Sequence, residues 1–249
     1  MSGHSKWAQI KRRKGVADAR RGQVFTKLGR EITVAVRQGG GDPDANFRLR
    51  LAIQRARDSN MPLDNIERAI KRARGEGEGG ALSEVTFEGY GPGGSAILLD
   101  ALTDNRNRTV AEIRNILTRS GATLGESGSV TWIFDPKGVI VIDANDADAE
   151  ELALLAIDAG AEDVKVEEGT VEVHTAPDAL EAVRRALEEQ GITVSSAELS
   201  RVPKTLVKLE EKAALQALKL LDRLEEVDEV QHVYTNADFP DEVVEKYQG

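Results

Sequence analysis

Between Met1 and Gly75 the chain carries 18 Lys and Arg residues against 7 Asp and Glu, a net charge of +11. The chemistry open to such a segment is phosphate binding, because guanidinium and ammonium groups neutralise a polyanion and release its condensed counterions. Lys6, Lys11, Arg12, Arg13, Lys14, Arg20 and Arg21 lie close to the start, Lys27, Arg48, Arg50, Arg55, Arg57, Arg68 and Arg72 extend the track, and Lys71 and Arg74 share the polar side of the third helix. Trp7 is the one aromatic residue of the leading stretch, placed either to stack on a base or to anchor the stretch on the helical core. The remaining 15 basic and 36 acidic residues give −21, so the total of −10 hides a polarised molecule. Asymmetry of this size joins a basic nucleic-acid-binding part to an acidic remainder.

A second constellation falls within the acidic part: Thr103-Asp104-Asn105-Arg106-Asn107-Arg108-Thr109, between a strand end and a helix start. Arg106 and Arg108 at a helix N-terminus suit a phosphate, since free N–H groups and guanidinium forks point the same way. Equally, Asp104 and Asn105 can build the turn while the arginines pair with nearby carboxylates.

Catalytic and cofactor chemistry finds no support. With no cysteine in the chain, thiolate metal sites, disulfides and cysteine nucleophiles are excluded. His4, His174 and His232 lack metal-ligand spacing, and a surface or rim position is expected for the last two. Neither G-x-S-x-G nor H-E-x-x-H occurs, and the adjacent pairs Glu150-Glu151, Glu167-Glu168 and Glu210-Glu211 read as solvated faces. Gly75, Gly77 and Gly80 match a dinucleotide-binding spacing, but they follow a helix and sit beside Glu76 and Glu78, which repel a pyrophosphate. Tyr90-Gly91-Pro92-Gly93-Gly94 lacks the Lys of a phosphate loop and reads as a tight turn. No enzyme, cofactor, metal or small-molecule substrate is therefore expected.

The elements that must position these residues follow from periodicity. Phe25, Leu28, Ile32 and Val36 recur at helical spacing until Gly39-Gly40-Gly41 ends the pattern. Leu49, Ile53 and Ala56 mark a second helix, and Ile66, Ala69, Ile70 and Ala73 a third with Pro62 in its first turn. Residues before Gly22 form an arm or short helix that turns its cations outward. The Gly75–Gly80 stretch is a linker where the charge changes sign. Strands are expected over 85–90, 95–103 and 129–134, with a helix over 109–119 opened by a Thr109/Glu112 capping box. Residues 138–201 spell βαββαβ, the ferredoxin-like split βαβ unit, and a helix over 206–226 leads to a strand over 229–234.

The expected fold is α+β: an N-terminal helical domain (1–78) plus two ferredoxin-like α/β domains, one discontinuous (79–135 and 205–249) and the other inserted in it (136–204). Hydrophobic residues at 40% and charged residues at 31% suit a folded chain. With no apolar run near the roughly 20 residues of a membrane span and no apolar leader at the start, a cytoplasmic protein without a membrane partner is expected.

Several blocks then carry a resemblance: Gly3-His4-Ser5-Lys6-Trp7, Phe25-Thr26-Lys27-Leu28-Gly29-Arg30-Glu31-Ile32, Asn60-Met61-Pro62, the run Glu88 to Gly94, and Leu102 to Thr109. In these the chain resembles the YebC/PmpR family of bacterial proteins, whose relatives include a mitochondrial translational activator of cytochrome oxidase. The resemblance spans the whole length and implies a three-domain α+β fold and a regulator of gene expression. Members are described as DNA-binding transcriptional regulators, whereas others resemble translation factors that bind ribosomal or transfer RNA on the ribosome and relieve stalling.

Overall fold

The structure, a computed structural model, describes residues 6, 7, 10, 18–76, 82–144, 149–167 and 169–248. They divide into two compact units, one made of Met1–Phe134 with Pro203–Gly249 and the other of Asp135–Val202. The helical segment, expected to be a domain of its own, lies in the first unit together with the discontinuous α+β segment.

Apolar residues three and four apart build the helical layer. α1 (Asp18–Gly39), α2 (Phe47–Asp58) and α3 (Leu63–Lys71) bring Leu28, Ile32 and Val36, then Leu49, Ile53 and Ala56, then Ile66 into one shared core. Asn46 fixes the α1–α2 corner. Its Oδ1 accepts the Leu49 N–H at 3.0 Å, capping α2, while its amide donates to the Ala35 carbonyl (2.8 Å) and the Gly40 carbonyl (2.7 Å) at the end of α1. Gly40 takes a φ of 84°, a left-handed turn that a Cβ would disfavour. Pro62 sits at the N-cap of α3, one step before the first turn.

The rest of the first unit is an antiparallel sheet backed by helices. β1 (Ser83–Tyr90), β2 (Ala96–Thr103), β3 (Thr123–Leu124) and β9 (Val230–Thr235) lie in the order β3-β1-β2-β9. α4 (Arg106–Arg119) carries the chain from β2 across to β3, which flanks β1 on its other side. Phe87, Ile97 and Leu99 share a core with Ile113 and Leu117 of α4 and with Leu218, Leu220, Leu221 and Leu224 of α7 (Glu211–Glu225). Trp7 and Ile10 belong to this same core. Gly89 is required where β1 meets β3, because a Cβ there would stand 2.8 Å from the Thr123 carbonyl oxygen. A short parallel pair, β8 (Val207–Lys208) and β10 (Ala237–Asp238), precedes α8 (Asp241–Gln248).

Two expected boundaries are corrected. Residues 129–133 do not form a strand, because the buried Glu88 carboxylate accepts N–H groups from Gly128 (2.6 Å), Val130 (2.7 Å) and Thr131 (2.8 Å). That grip bends them into a turn, and β4 (Phe134–Asp143) starts only afterwards. Burial alone would raise the Glu88 pKa, yet the bonds from Gly128, Val130 and Thr131 outweigh it and hold the carboxyl below its ordinary value. The second correction concerns α4, which starts at Arg106 on an Asn105 cap, with Asn105 Oδ1 accepting the Arg108 N–H at 3.1 Å. Thr109 is buried inside the helix instead, its hydroxyl 2.8 Å from that of Thr103.

In the second unit β4, α5 (Ala149–Asp158), β5 (Asp163–Glu167), β6 (Thr170–Thr175), α6 (Leu180–Glu189) and β7 (Val194–Pro203) follow the βαββαβ order. The strands lie as β5-β6-β4-β7, the arrangement of the split βαβ unit. His174 departs from the expected rim position. It sits on β6, paired on both sides, and its side chain is buried with Nε2 2.7 Å from Glu172 Oε1. His232 is half-buried and stacks on Tyr234 at 5.8 Å between ring centroids. Among the described residues no helix is long and apolar enough to cross a membrane.

Candidate nucleic-acid interface

The basic residues separate into groups by what they touch. Lys6 is 8% exposed. Its Nζ donates to the Phe239 carbonyl at 2.6 Å and pairs with Asp241 at 2.9 Å and Asp238 at 3.4 Å. Trp7, 2% exposed, is packed in the core beneath the β1-β2-β9 sheet. Neither side chain is turned outward, and Trp7 anchors on the α+β core, where the sequence suggested the helical one. The reason is that the acidic β10–α8 corner offers both a carbonyl and two carboxylates to a lysine next to a large apolar ring. Lys11, Arg12, Arg13 and Lys14 lie outside the described residues, as do the side chains of Arg20 and Arg21 on α1.

A second group joins α1 and α2 to the sheet. Gln23, Lys27 and Arg30 stand four and three residues apart on α1 and therefore share a face. Lys27 Nζ donates to the Glu225 carbonyl (2.5 Å), Gln23 to the Glu226 carbonyl, and Arg30 to the Asp228 carbonyl (2.6 Å). These acceptors cluster at the C-terminal end of α7, where unpaired carbonyls and the negative pole of the helix dipole attract cations. Arg48 pairs with Glu84 on β1 at 2.7 Å, whereas Arg55 pairs with Glu31 of α1 at 2.9 Å, within the helical layer. The helical layer is thus held on the α+β segment chiefly by α1 side chains on backbone carbonyls, with Arg48–Glu84 adding an ion pair.

Arg108 belongs with this group. Its Nη2 binds Asp104 at 2.7 Å and the buried Glu229 at 2.9 Å, and Arg30 reaches the same Glu229 carboxylate at 3.8 Å. The bond to Glu229, then that to Asp104, raises the Arg108 pKa, and the Arg108 guanidinium in turn holds Asp104 below its ordinary value. Of the two uses foreseen for the Asp104–Thr109 turn, pairing with carboxylates describes Arg108, while Arg106 next to it is exposed.

What is left is a set of exposed cations with no hydrogen bond or ion pair among the described residues. Arg68, Lys71 and Arg72 occupy one face of α3 and the turn that continues it, and Arg57 ends α2. Asp64 and Glu67 share the exposed surface of α3 but bind none of these groups. Arg106, Arg114 and Arg119 are exposed on α4. Arg114 and Arg119 were not foreseen as candidates. Their signal was the polar side of the α4 periodicity, masked by the acidic average of that region.

With this geometry in place, known proteins give the chain its relatives. The family described as TACO1/YebC protein N-terminal domain matches residues 5–76, and that described as TACO1/YebC second and third domain matches residues 82–237. A probable transcriptional regulatory protein of Dehalococcoides mccartyi is 59% identical over 249 residues, covering 100% of this chain and 99% of the relative. A probable transcriptional regulatory protein of Herpetosiphon aurantiacus is 55% identical, with 99% and 98% covered. The crystal structure of a conserved hypothetical protein from Aquifex aeolicus matches with a TM-score of 0.84 at 46% identity, over 90% of this chain and 93% of that one.

Proposed function

This chain belongs to the TACO1/YebC family, and from that premise we propose that it is a nucleic-acid-binding regulator of gene expression, a DNA-binding transcriptional regulator that acts in the cytoplasm by binding and without catalysis. One observation carries the reading: after the basic layer has made its internal pairs, Arg68, Lys71 and Arg72 present exposed charge from one helix face with no partner among the described residues. Lys11 to Lys14 add four cations in sequence before α1. Phosphates are the partners such groups fit, and the acidic remainder confines them to one end of the chain. The names of the relatives point the same way. The test is the affinity of the full chain for duplex DNA against salt: the logarithm of the binding constant should fall steeply with log salt, by about 0.9 per phosphate contact. A flat dependence would remove the proposal.

A second reading, a ribosome-associated translation factor, is favoured by one feature of the same helices. The exposed sides of α2 and α3 offer guanidinium and ammonium groups but few amides to read adenine, and Gln54 is already bonded to Asp58 at 2.9 Å. Backbone and shape recognition of RNA asks for that composition. Sedimentation of a cell lysate through sucrose, with and without ribonuclease, separates the two. Ribosomal fractions that lose the protein only after ribonuclease favour translation, and retention on chromosomal DNA favours transcription.

A further inference from the structure

The two helices of the second unit cover its sheet with different outer faces. On α6, Arg184 binds Glu181 (3.0 Å) and Glu188 (2.8 Å), and Arg185 binds Glu181 (2.9 Å), giving the charged, self-paired surface expected of a helix facing water. α5 buries Leu152 and Ala156 but leaves Leu154 64% and Ile157 54% exposed, three residues apart and hence on one side. Glu150, Glu151 and Asp158 border that pair. The adjoining edge strand β5 leaves half of Val166 uncovered. From Asp135 to Val202 the sequence holds 17 acidic and 5 basic residues, a net −12. An apolar pair left in water on a helix otherwise able to cover itself, with a charged rim, marks a partner surface.

We propose that the outer face of α5 is a docking site for a basic protein segment: an amphipathic stretch whose apolar side covers Leu154 and Ile157 and whose Lys or Arg residues pair with Glu150, Glu151 and Asp158. Charge selects this occupant. A nucleic acid is repelled by a unit of net −12. A second copy docked through the same patch would bring two acidic rims together, because a two-fold interface joins the same surface of both copies. A segment with apolar anchors and cationic flanks meets both the exposed side chains and the field around them. The site is independent of whether the helical layer binds DNA or RNA.

The experiment uses the full chain with labelled Leu and Ile methyl groups. A short helical peptide of Leu and Lys, with Leu on one face, serves as the probe, and the same peptide with Glu for Lys as its control. The Leu/Lys peptide should shift the Leu154 and Ile157 methyl signals, and the Leu/Glu peptide should not. The double variant L154N/I157N should weaken binding by about tenfold or more, since each buried side chain of this size is worth that order of affinity. Unchanged Leu152 signals in the variant verify that α5 is still folded on its sheet. Equal binding of the two peptides, undiminished binding to the variant, or shifts confined to other methyl groups would overturn the proposal. So would concentration-dependent self-association that moves the Leu154 and Ile157 signals without peptide.

Discussion

α1 meets the negative end of α7 with Gln23, Lys27 and Arg30, whereas α3 turns Arg68, Lys71 and Arg72 to solvent. Both surfaces are basic, both sit in the first 75 residues, and composition cannot tell them apart. The difference lies in what stands opposite. α1 and α2 face Glu84, Glu225, Glu226, Asp228 and Glu229 of the α+β core, so their side chains are spent on carbonyls and carboxylates. Nothing among the described residues stands opposite the outer face of α3. A count of cations therefore overstates the charge left over for the proposed phosphate partner, and the structural and binding shares can be separated by substitution.

The largest expected effect is at the anchor. Trp7→Ala should cost about 3 to 5 kcal/mol of stability, the usual toll of emptying a large aromatic site in a packed core, read as a lower urea midpoint. Lys6→Met should cost about 2 kcal/mol, because it leaves the Phe239 carbonyl without its buried donor and the Asp238 carboxylate without the cation beside it. Asp241 is mostly exposed, so its share of that loss is small. Both variants should keep the salt dependence of nucleic-acid binding wherever they remain folded. A lowered salt slope in folded Lys6→Met would return Lys6 to the phosphate-contact set.

Glu88 sharpens the comparison from the acidic side, as a carboxylate whose partners are backbone N–H groups and not cations. Its folded pKa lies below the ordinary 4.5, so its contribution is fully present above about pH 4.5 and is lost as the pH falls through the folded value. Glu88→Gln should destabilise the chain by about 1 to 3 kcal/mol at neutral pH, because an amide NH2 then opposes an N–H donor. It should also flatten the decline of stability in acid. Urea unfolding of the two proteins between about pH 3 and pH 7 checks both, and an unchanged acid slope would mean that other carboxylates govern it.

The helical layer was legible because Leu28, Ile32, Leu49, Ile53 and Ile66 obey one period and glycine ends the first helix in the open. The βαββαβ unit was legible for the same reason, each strand and helix being bounded by turn residues. Two kinds of feature escaped. The turn at 129–133 is imposed by Glu88, some 40 residues earlier, and no local pattern records a carboxylate that collects three N–H groups. Likewise Lys6 and Trp7 look like part of a basic arm until Phe239, Asp238 and Asp241 are brought beside them from the other end of the chain. Which cations are free is a property of long-range contacts, so the candidate interface was legible as a region and not residue by residue.

The smallest change in stability should accompany the clearest change in binding. Arg68→Ala/Lys71→Ala/Arg72→Ala removes three exposed groups that bond nothing among the described residues, so stability should change by less than about 0.5 kcal/mol, read from the urea midpoint. If each meets a phosphate, the slope of log affinity against log salt should flatten by up to about 3. Arg48→Ala/Arg55→Ala is the matched case, in which two cations already paired with Glu84 and Glu31 are removed. It should cost about 1 kcal/mol of stability and leave the slope where it was. The two variants start from the same composition and the same layer of helices, so a reversed result, with slope lost in the second and kept in the first, would place the phosphate contacts on the face that α1 and α2 turn toward the sheet.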